Sequence, residues 1–266
     1  MSSVLLSSFD PISQKEIEAA LAYRREHGAH DLYLAVSEEG VLSKELRTRL
    51  LKKALAPYRH LHVTSEVKDA ETLTPADEEE IRKGEYRKAA YGIRGELIRE
   101  GYYLNATAKA MCNPHRYAHT CSVAEVCRQL AAVHHMDEKK AWVMGMLHDL
   151  TKGFSDEANR KIIEIYKPEW LSISPKVWHS YTGVIYAKQS LCLEDPDIAY
   201  AMEHHTIGDG HTDWAYLLYI ADKIEPLRGY DVSKQRALAE KDLKAAANLI
   251  REESKAYILE TEGIHV

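Results

Sequence analysis

Apolar positions follow one rhythm up to residue 66 and another from residue 115 onward. In the first stretch, short apolar runs alternate with helical spacing. Val4-Leu5-Leu6, Asp31-Leu32-Tyr33-Leu34-Ala35-Val36 and His60-Leu61-His62-Val63 read as strands. Between them, residues 14–26 carry Ile17, Ala20 and Leu21 at helix spacing, and Ser43 caps a helix through Leu55 that ends at Pro57. This βαβαβ order predicts a small parallel sheet, half of a nucleotide-binding fold. Residues 67–91 are charged, with Asp77-Glu78-Glu79-Glu80 ahead of Arg82-Lys83, and read as a solvated linker or surface helix.

From His115 the period is helical throughout. Residues 118–134 place Val123-Ala124, Cys127 and Leu130-Ala131 on one face, with His119 at its start. Residues 138–148 carry Ala141, Met144-Gly145 and His148 along a second stripe. Ser174-Pro175 and Asp195-Pro196 are caps followed by proline at the first helical position. They open helices that carry His179 and, with Ile198 and Met202, His205. Trp214, Leu218, Ala221-Asp222 and Glu225 form the face of the last core helix, stopped by Pro226. Residues 233–260 form a polar amphipathic tail, a cover or a dimer surface, so a homodimer is among the expected assemblies.

Composition narrows the class. The chain has 266 residues, 45% hydrophobic and 29% charged, with net charge −6. That balance is globular, and it argues against nucleic acid as a bulk electrostatic partner. No apolar run reaches the ~20 residues that span a bilayer, and the first residues lack a signal-peptide pattern. Four cysteines without a CxxC pair read as free thiols, so the expected compartment is the cytoplasm.

The candidate chemistry lies in the histidines. Nine of fourteen fall between His115 and His211. His148-Asp149 joins an imidazole to a carboxylate within one turn, a mixture suited to a divalent transition metal, with Lys152 one turn on. A lone buried histidine is more often a packed core residue than a ligand, and His134, His135, His204 and His211 are left in that class. Asp222 inside an apolar helix needs a partner, either a metal or a neighbouring cation such as Lys223 or Arg228.

Taken together, Arg116-Tyr117-Ala118-His119, Leu147-His148-Asp149-Leu150-Thr151-Lys152, Trp178-His179, His205-Thr206-Ile207-Gly208 and Ala221-Asp222-Lys223-Ile224-Glu225-Pro226-Leu227-Arg228 resemble the HD-domain phosphohydrolases. The spelling is similar to the YqeK-type symmetrical dinucleoside tetraphosphatases, which split diadenosine tetraphosphate into two ADP. The resemblance implies a metal set of His119, His148, Asp149, His179, His205 and Asp222, with Asp149 bridging two transition-metal ions. Iron is the metal it implies, with manganese or zinc as alternatives. Asp149 and Lys152 would be catalytic, and Arg116, Thr151, Lys152, Thr206, Gly208, Glu225 and Arg228 would contact a nucleotide or dinucleoside polyphosphate. Another nucleotide phosphohydrolase or phosphodiesterase, or a non-catalytic nucleotide sensor, are the alternatives.

Ser7-Ser8-Phe9-Asp10-Pro11-Ile12 resembles the opening of the nicotinate-nucleotide adenylyltransferases, and Gly92–Gly101 resembles a worn copy of their closing stretch. Where that family has two histidines, this chain has Ser13 and Glu16. Loss of those phosphate-stabilising groups implies that adenylyl transfer is gone. The expected architecture is thus an α/β half-Rossmann-like, degenerate nucleotidyltransferase domain with linker (1–110), followed by an all-α HD-domain helical bundle (111–266).

Overall fold

The computed structural model describes residues 3–262. They fall into two compact units, residues 1–98 with 190–192, and residues 99–189 with 193–266. In the first, strands β1 (Ser3–Ser7), β2 (Leu32–Val36), β3 (Leu61–Val63) and β4 (Glu71–Thr72) form one sheet in the order β3-β2-β1-β4. All pairs are parallel, with Ser3 opposite Leu32 and Leu32 opposite Leu61. Parallel neighbours need crossover connections, which helices α1 (Gln14–Glu26) and α2 (Lys44–Leu55) provide. Leu5, Leu32, Leu34, Ile17, Leu50 and Leu51 supply the buried core between them.

Two features of this unit depart from the sequence reading. β4 is a fourth strand inside the stretch read as linker, and Glu71-Thr72 has no apolar run to announce it. The following helix, α3 (Glu78–Arg82), is not wholly solvated: Glu78 and Ile81 are buried. Glu78 accepts hydrogen bonds from Ser8 Oγ (2.6 Å) and Asp10 N (2.9 Å), which ties the acidic run to the loop after β1.

That loop lies at the carboxyl end of the sheet, where open α/β sheets hold ligands. Here the space is crossed by the chain's own side chains. Arg47, 1% exposed, donates to the carbonyls of Leu42, Ser8, Ser37 and Glu38. Ser13 and Glu16, at the positions of the absent histidines, form a reciprocal cap on α1. Ser13 Oγ accepts from Glu16 N (3.1 Å), and Glu16 Oε2 accepts from Ser13 N (2.8 Å). Both residues thus serve to start the helix.

The second unit is helical. After α4 (Arg94–Arg99), which crosses the boundary, come α5 (Leu104–Met111), α6 (Pro114–Val133), α7 (Glu138–Leu147), α8 (Asp156–Tyr166), α9 (Trp178–Gln189), α10 (Pro196–His204), α11 (Asp213–Ile224), α12 (Ser233–Ala239) and α13 (Leu243–Glu262). No helix among the described residues is long and apolar enough to cross a membrane. Side-chain caps set the starts: Asn113, Asp137, Ser155, Asp195 and Thr212 each accept from a backbone N–H of the first turn. α11 is the central helix, packed against α6, α7, α10 and α13. From Ala215 to Asp222 every residue is buried, so its apolar surface runs all round and exceeds the single face read from spacing.

The tightest contact in this bundle is α6 against α7. A Cβ placed on Gly145 would lie 2.5 Å from Ala124 Cα, so two small residues let the backbones meet. We expect Gly145→Ala to force the helices apart at a cost of about 1–3 kcal/mol. Denaturant unfolding should show a lower midpoint, and an unchanged midpoint would contradict this packing.

Burial pushes the Glu16 carboxyl up to about 8, against the opposing hydrogen bond from the Ser13 backbone. Its folded pKa lies above its unfolded value near 4.5, so the folded state holds the extra proton. Stability from this group is full below pH 4.5 and is lost as pH rises to about 8. Glu16→Gln keeps an acceptor for Ser13 and has no charge to bury. Urea titrations across this range should find the variant's slope flatter and its stability at pH 8 higher by about 1–3 kcal/mol.

Candidate metal centre

Five segments of the helical unit deliver the six residues. His119 comes from the second turn of α6, His179 from the first turn of α9 and Asp222 from the last turn of α11. His148 and His205 are the residues that end α7 and α10, and Asp149 follows in the turn. These two histidines use one device. His148 Nδ1 donates to Gly145 O (2.7 Å) and His205 Nδ1 donates to Met202 O (2.6 Å). Each imidazole thereby satisfies a free carbonyl at its helix end and turns Nε2 inward as a lone-pair donor. His119 Nδ1 donates to Glu225 Oε1 (3.0 Å), which fixes the same tautomer through a buried carboxylate.

The side chains form two buried triads. His119, His148 and Asp222 make one, and Asp149, His179 and His205 make the other, the donor atoms of each lying within 4.8 Å of one another. His119 Nε2 is 3.4 Å from His148 Nε2 and 3.2 Å from Asp222 Oδ1. In the second triad, Asp149 Oδ1 is 3.2 Å from His179 Nε2 and 3.6 Å from His205 Nε2. Asp149 Oδ2 faces the first triad instead, 3.8 Å from His119 Nε2 and 3.7 Å from His148 Nε2. One carboxylate thus spans both groups. Its Oδ1 is buried and accepts no hydrogen bond among the described residues.

Such a cluster of charges and lone pairs fits bound cations. A buried polar atom without a partner is costly, and the donor set of four imidazoles and two carboxylates is one that divalent transition metals take. The protonation states suit the same end. Burial lowers the pKa of His148 and of His179 to about 4, so both rings are neutral at physiological pH. Burial alone would raise the Asp149 and Asp222 carboxyls, but surrounding positive and hydrogen-bonding groups hold both well below the usual range. For His119, burial opposes charge, yet hydrogen bonds to Asp222 and Glu225 outweigh it and raise the pKa.

Cations crowd the carboxylates. Arg116 Nη1 lies 2.6 Å from Asp149 Oδ2, and Lys152 Nζ lies 3.7 Å from Asp149 Oδ1 and 3.1 Å from His179 Nε2. Arg228 Nη2 (2.5 Å) and Lys223 Nζ (2.9 Å) take the two oxygens of Asp222. Thr206 Oγ1 sits beside the second triad, 3.2 Å from His179 Nε2.

Three of the expected substrate contacts are placed differently. Thr151 is fully buried, its hydroxyl 3.1 Å from His179 O and 3.0 Å from the Thr182 hydroxyl, which lies 2.7 Å from Asn159 Oδ1. It holds the helix that carries His179 and has no surface left for a ligand. Glu225 is 2% exposed and orients His119. Gly208 is buried in a turn at φ +76°, where a Cβ would lie 2.5 Å from the Tyr219 ring. Its requirement is backbone conformation and close packing. The Thr151–Thr182–Asn159 chain was not found from sequence, since nothing local links residues so far apart.

A family model described as HD domain matches residues 116–227, a span that contains all six candidate ligands. The symmetrical bis(5'-nucleosyl)-tetraphosphatase of Bacillus subtilis is 34% identical over 145 residues, covering 53% of this chain and 78% of that protein. The chain belongs to this HD-domain family. Other members agree: the symmetrical bis(5'-nucleosyl)-tetraphosphatase of Halalkalibacterium halodurans is 30% identical over 50% of this chain and 73% of its own. A Mycoplasma genitalium protein named probable nicotinate-nucleotide adenylyltransferase/Ap4A hydrolase is 32% identical over 157 residues, but the chain spans only 43% of it. The crystal structure of a predicted HD superfamily hydrolase involved in NAD metabolism from Clostridium acetobutylicum superposes with TM-score 0.55 and 26% identity. That match covers 60% of this chain and 88% of the other.

For an HD-domain protein with these triads, each triad should hold one ion. Elemental analysis after reconstitution with iron or manganese should count two ions held by the helical unit, falling to one in His119→Ala and in His205→Ala. Fewer than one ion in the wild-type protein would rule out the paired centre.

Proposed function

We propose that this chain hydrolyses diadenosine tetraphosphate symmetrically, releasing two ADP. The observation that carries the reading is Asp149, whose two oxygens are divided between two triads of imidazoles and carboxylates. The curated relatives named for this reaction support the substrate. His119, His148 and Asp222 would hold one ion, His179 and His205 the other, and Asp149 both. Iron is the proposed metal, since an all-nitrogen and oxygen set with carboxylates suits it at least as well as zinc. We assign the phosphohydrolase domain to residues 111–266 and the degenerate nucleotidyltransferase-like domain with its linker to residues 1–110. The four free cysteines fit a reducing, cytoplasmic setting.

Bound ions would supply Lewis acidity and the acidification of a water. The chain's own residues do the rest. Arg116, Lys152, Lys223 and Arg228 face Asp149 and Asp222 from the rim. Once those carboxylates serve ions, the four cations are available to the non-bridging oxygens of a polyphosphate. Water adds at one inner phosphorus, the bond from that phosphorus to the central oxygen shared by the two inner phosphates breaks, and the second ADP departs on that oxygen with its charge facing Lys152, while the proton released by the water passes to solvent. Burial of its ammonium lowers the Lys152 pKa while Asp149 beside it raises it, so its charge is tied to the carboxylate it faces.

Products separated by ion exchange in the presence of metal provide the test. ADP should be the sole product. AMP with ATP would mean attack at a different phosphorus, and faster cleavage of another nucleotide would replace the substrate while keeping the HD chemistry. Asp149→Ala should abolish turnover by removing the shared ligand. Lys152→Ala should retain the metals and slow turnover or weaken binding by about 10²-fold, the scale of one electrostatic contact in the transition state.

A further inference from the structure

Four of the histidines lie outside the helical unit's sequence, and three of them meet at a point in the sheet unit that the proposed reaction does not use. β2 and β3 run parallel with Leu32 opposite Leu61 and Tyr33 opposite His62. One residue earlier, the same register sets Asp31 beside His60. Side chains alternate along a strand, so Asp31, Tyr33, His60 and His62 share one face. The dipeptide His30-Asp31 and the tripeptide His60-Leu61-His62 thus bring three imidazoles to one carboxylate. Asp31 Oδ2 lies 2.9 Å from His30 Nδ1, while Oδ1 lies 3.1 Å from His62 Nε2 and 3.4 Å from His60 Nδ1. The rings of His30 and His60 meet edge to face, 5.0 Å between centroids.

We propose that His30, Asp31 and His60, with His62 beside them, form a second kind of metal site, for a single late transition-metal ion such as Zn²⁺ or Co²⁺. Donor atoms of His30, Asp31 and His60 all lie within 4.8 Å of one another. Ligands of a tetrahedral ion with 2.0–2.1 Å bonds stand about 3.3 Å apart, so a small inward rotation suffices. His30 is free to make it, its side chain being 84% exposed. Asp31 and His60 sit where two paired strands begin, which gives the site a fixed base. All three ring nitrogens approach Asp31 through a proton, and each is a nitrogen that would bind an ion once that proton leaves. An ion replaces those competing protons with one shared charge. Three neutral nitrogens and one carboxylate favour zinc, cobalt, nickel or copper over calcium or magnesium, which take mostly oxygen. Solvent exposure leaves a coordination position for water.

The ion would join β3, a three-residue edge strand, to β2 at their amino ends. Binding only to the folded state raises stability with ion concentration. The test uses the full chain and its His30→Ala/His60→Ala variant, both loaded to saturation with Co²⁺ and counted by equilibrium dialysis and elemental analysis. The wild-type protein should bind one ion more than the variant, while both keep the same rate on diadenosine tetraphosphate. Added Zn²⁺ should shift the ring resonances of His30, His60 and His62 in the wild-type spectrum and raise its unfolding midpoint more than the variant's. His30→Ala alone, at a highly exposed position that folding does not need, should weaken the extra ion at least tenfold. Equal ion counts in the wild-type and double-variant proteins, with unmoved ring resonances, would overturn the site whatever the outcome for the helical unit's ions.

Discussion

A carboxylate 2% exposed, Asp149, is the constraint on which the helical unit depends. An isolated charge buried this deeply is untenable without compensation. The fold compensates it from every side: imidazoles of four helical segments, the guanidinium of Arg116 and the ammonium of Lys152. Because one oxygen faces each triad, the same residue that must be neutralised also links the two groups. Function and stability meet at this side chain, since displacing it leaves four inward-facing imidazoles without their common partner.

Placement of the imidazoles rests on ordinary helix physics. The end of a helix leaves carbonyls unpaired, and His148 and His205 satisfy one each with Nδ1 while presenting Nε2 to the centre. Rotation of these rings would cost a buried hydrogen bond as well as a ligand atom. The close approach of α6 and α7 at Ala124 and Gly145 then sets how far His119 and His148 stand apart. Thr151 and Thr182 fasten α9 from behind, so His179 is held by its backbone as well as by its ring.

In the sheet unit, buried polar side chains serve the structure itself. The spacing of Ser13 and Glu16 makes a capping box. Arg47 directs its guanidinium to four carbonyls at the crest of the sheet, with Gly40 pressed against it. Burial of Glu16, Arg47 and Glu78 in one unit is sustained by hydrogen bonds that each group receives or donates there.

The sequence by itself determined whatever depends on neighbours within a turn or two. Periodicity located α1, α2, α6, α7 and the first three strands within a few residues, and Pro and Asp or Ser signals marked the starts of α9 and α10. The resemblance carried by the motifs around His119, His148-Asp149, His179, His205 and Asp222 named six residues that the fold brings together in two triads. Tertiary structure decided the rest. Glu71-Thr72 is a strand only because β1 offers it a parallel edge, and Glu78 is buried only because the loop after β1 presents it with donors. Thr151 turned away from any substrate because His179 O, 28 residues on, lies within reach of its hydroxyl. The division of Asp149 between two triads and the meeting of Asp31 with His60 arise the same way, from contacts between segments tens of residues apart. No local rule of hydropathy or spacing encodes these, since they depend on strand register and helix packing across the whole fold.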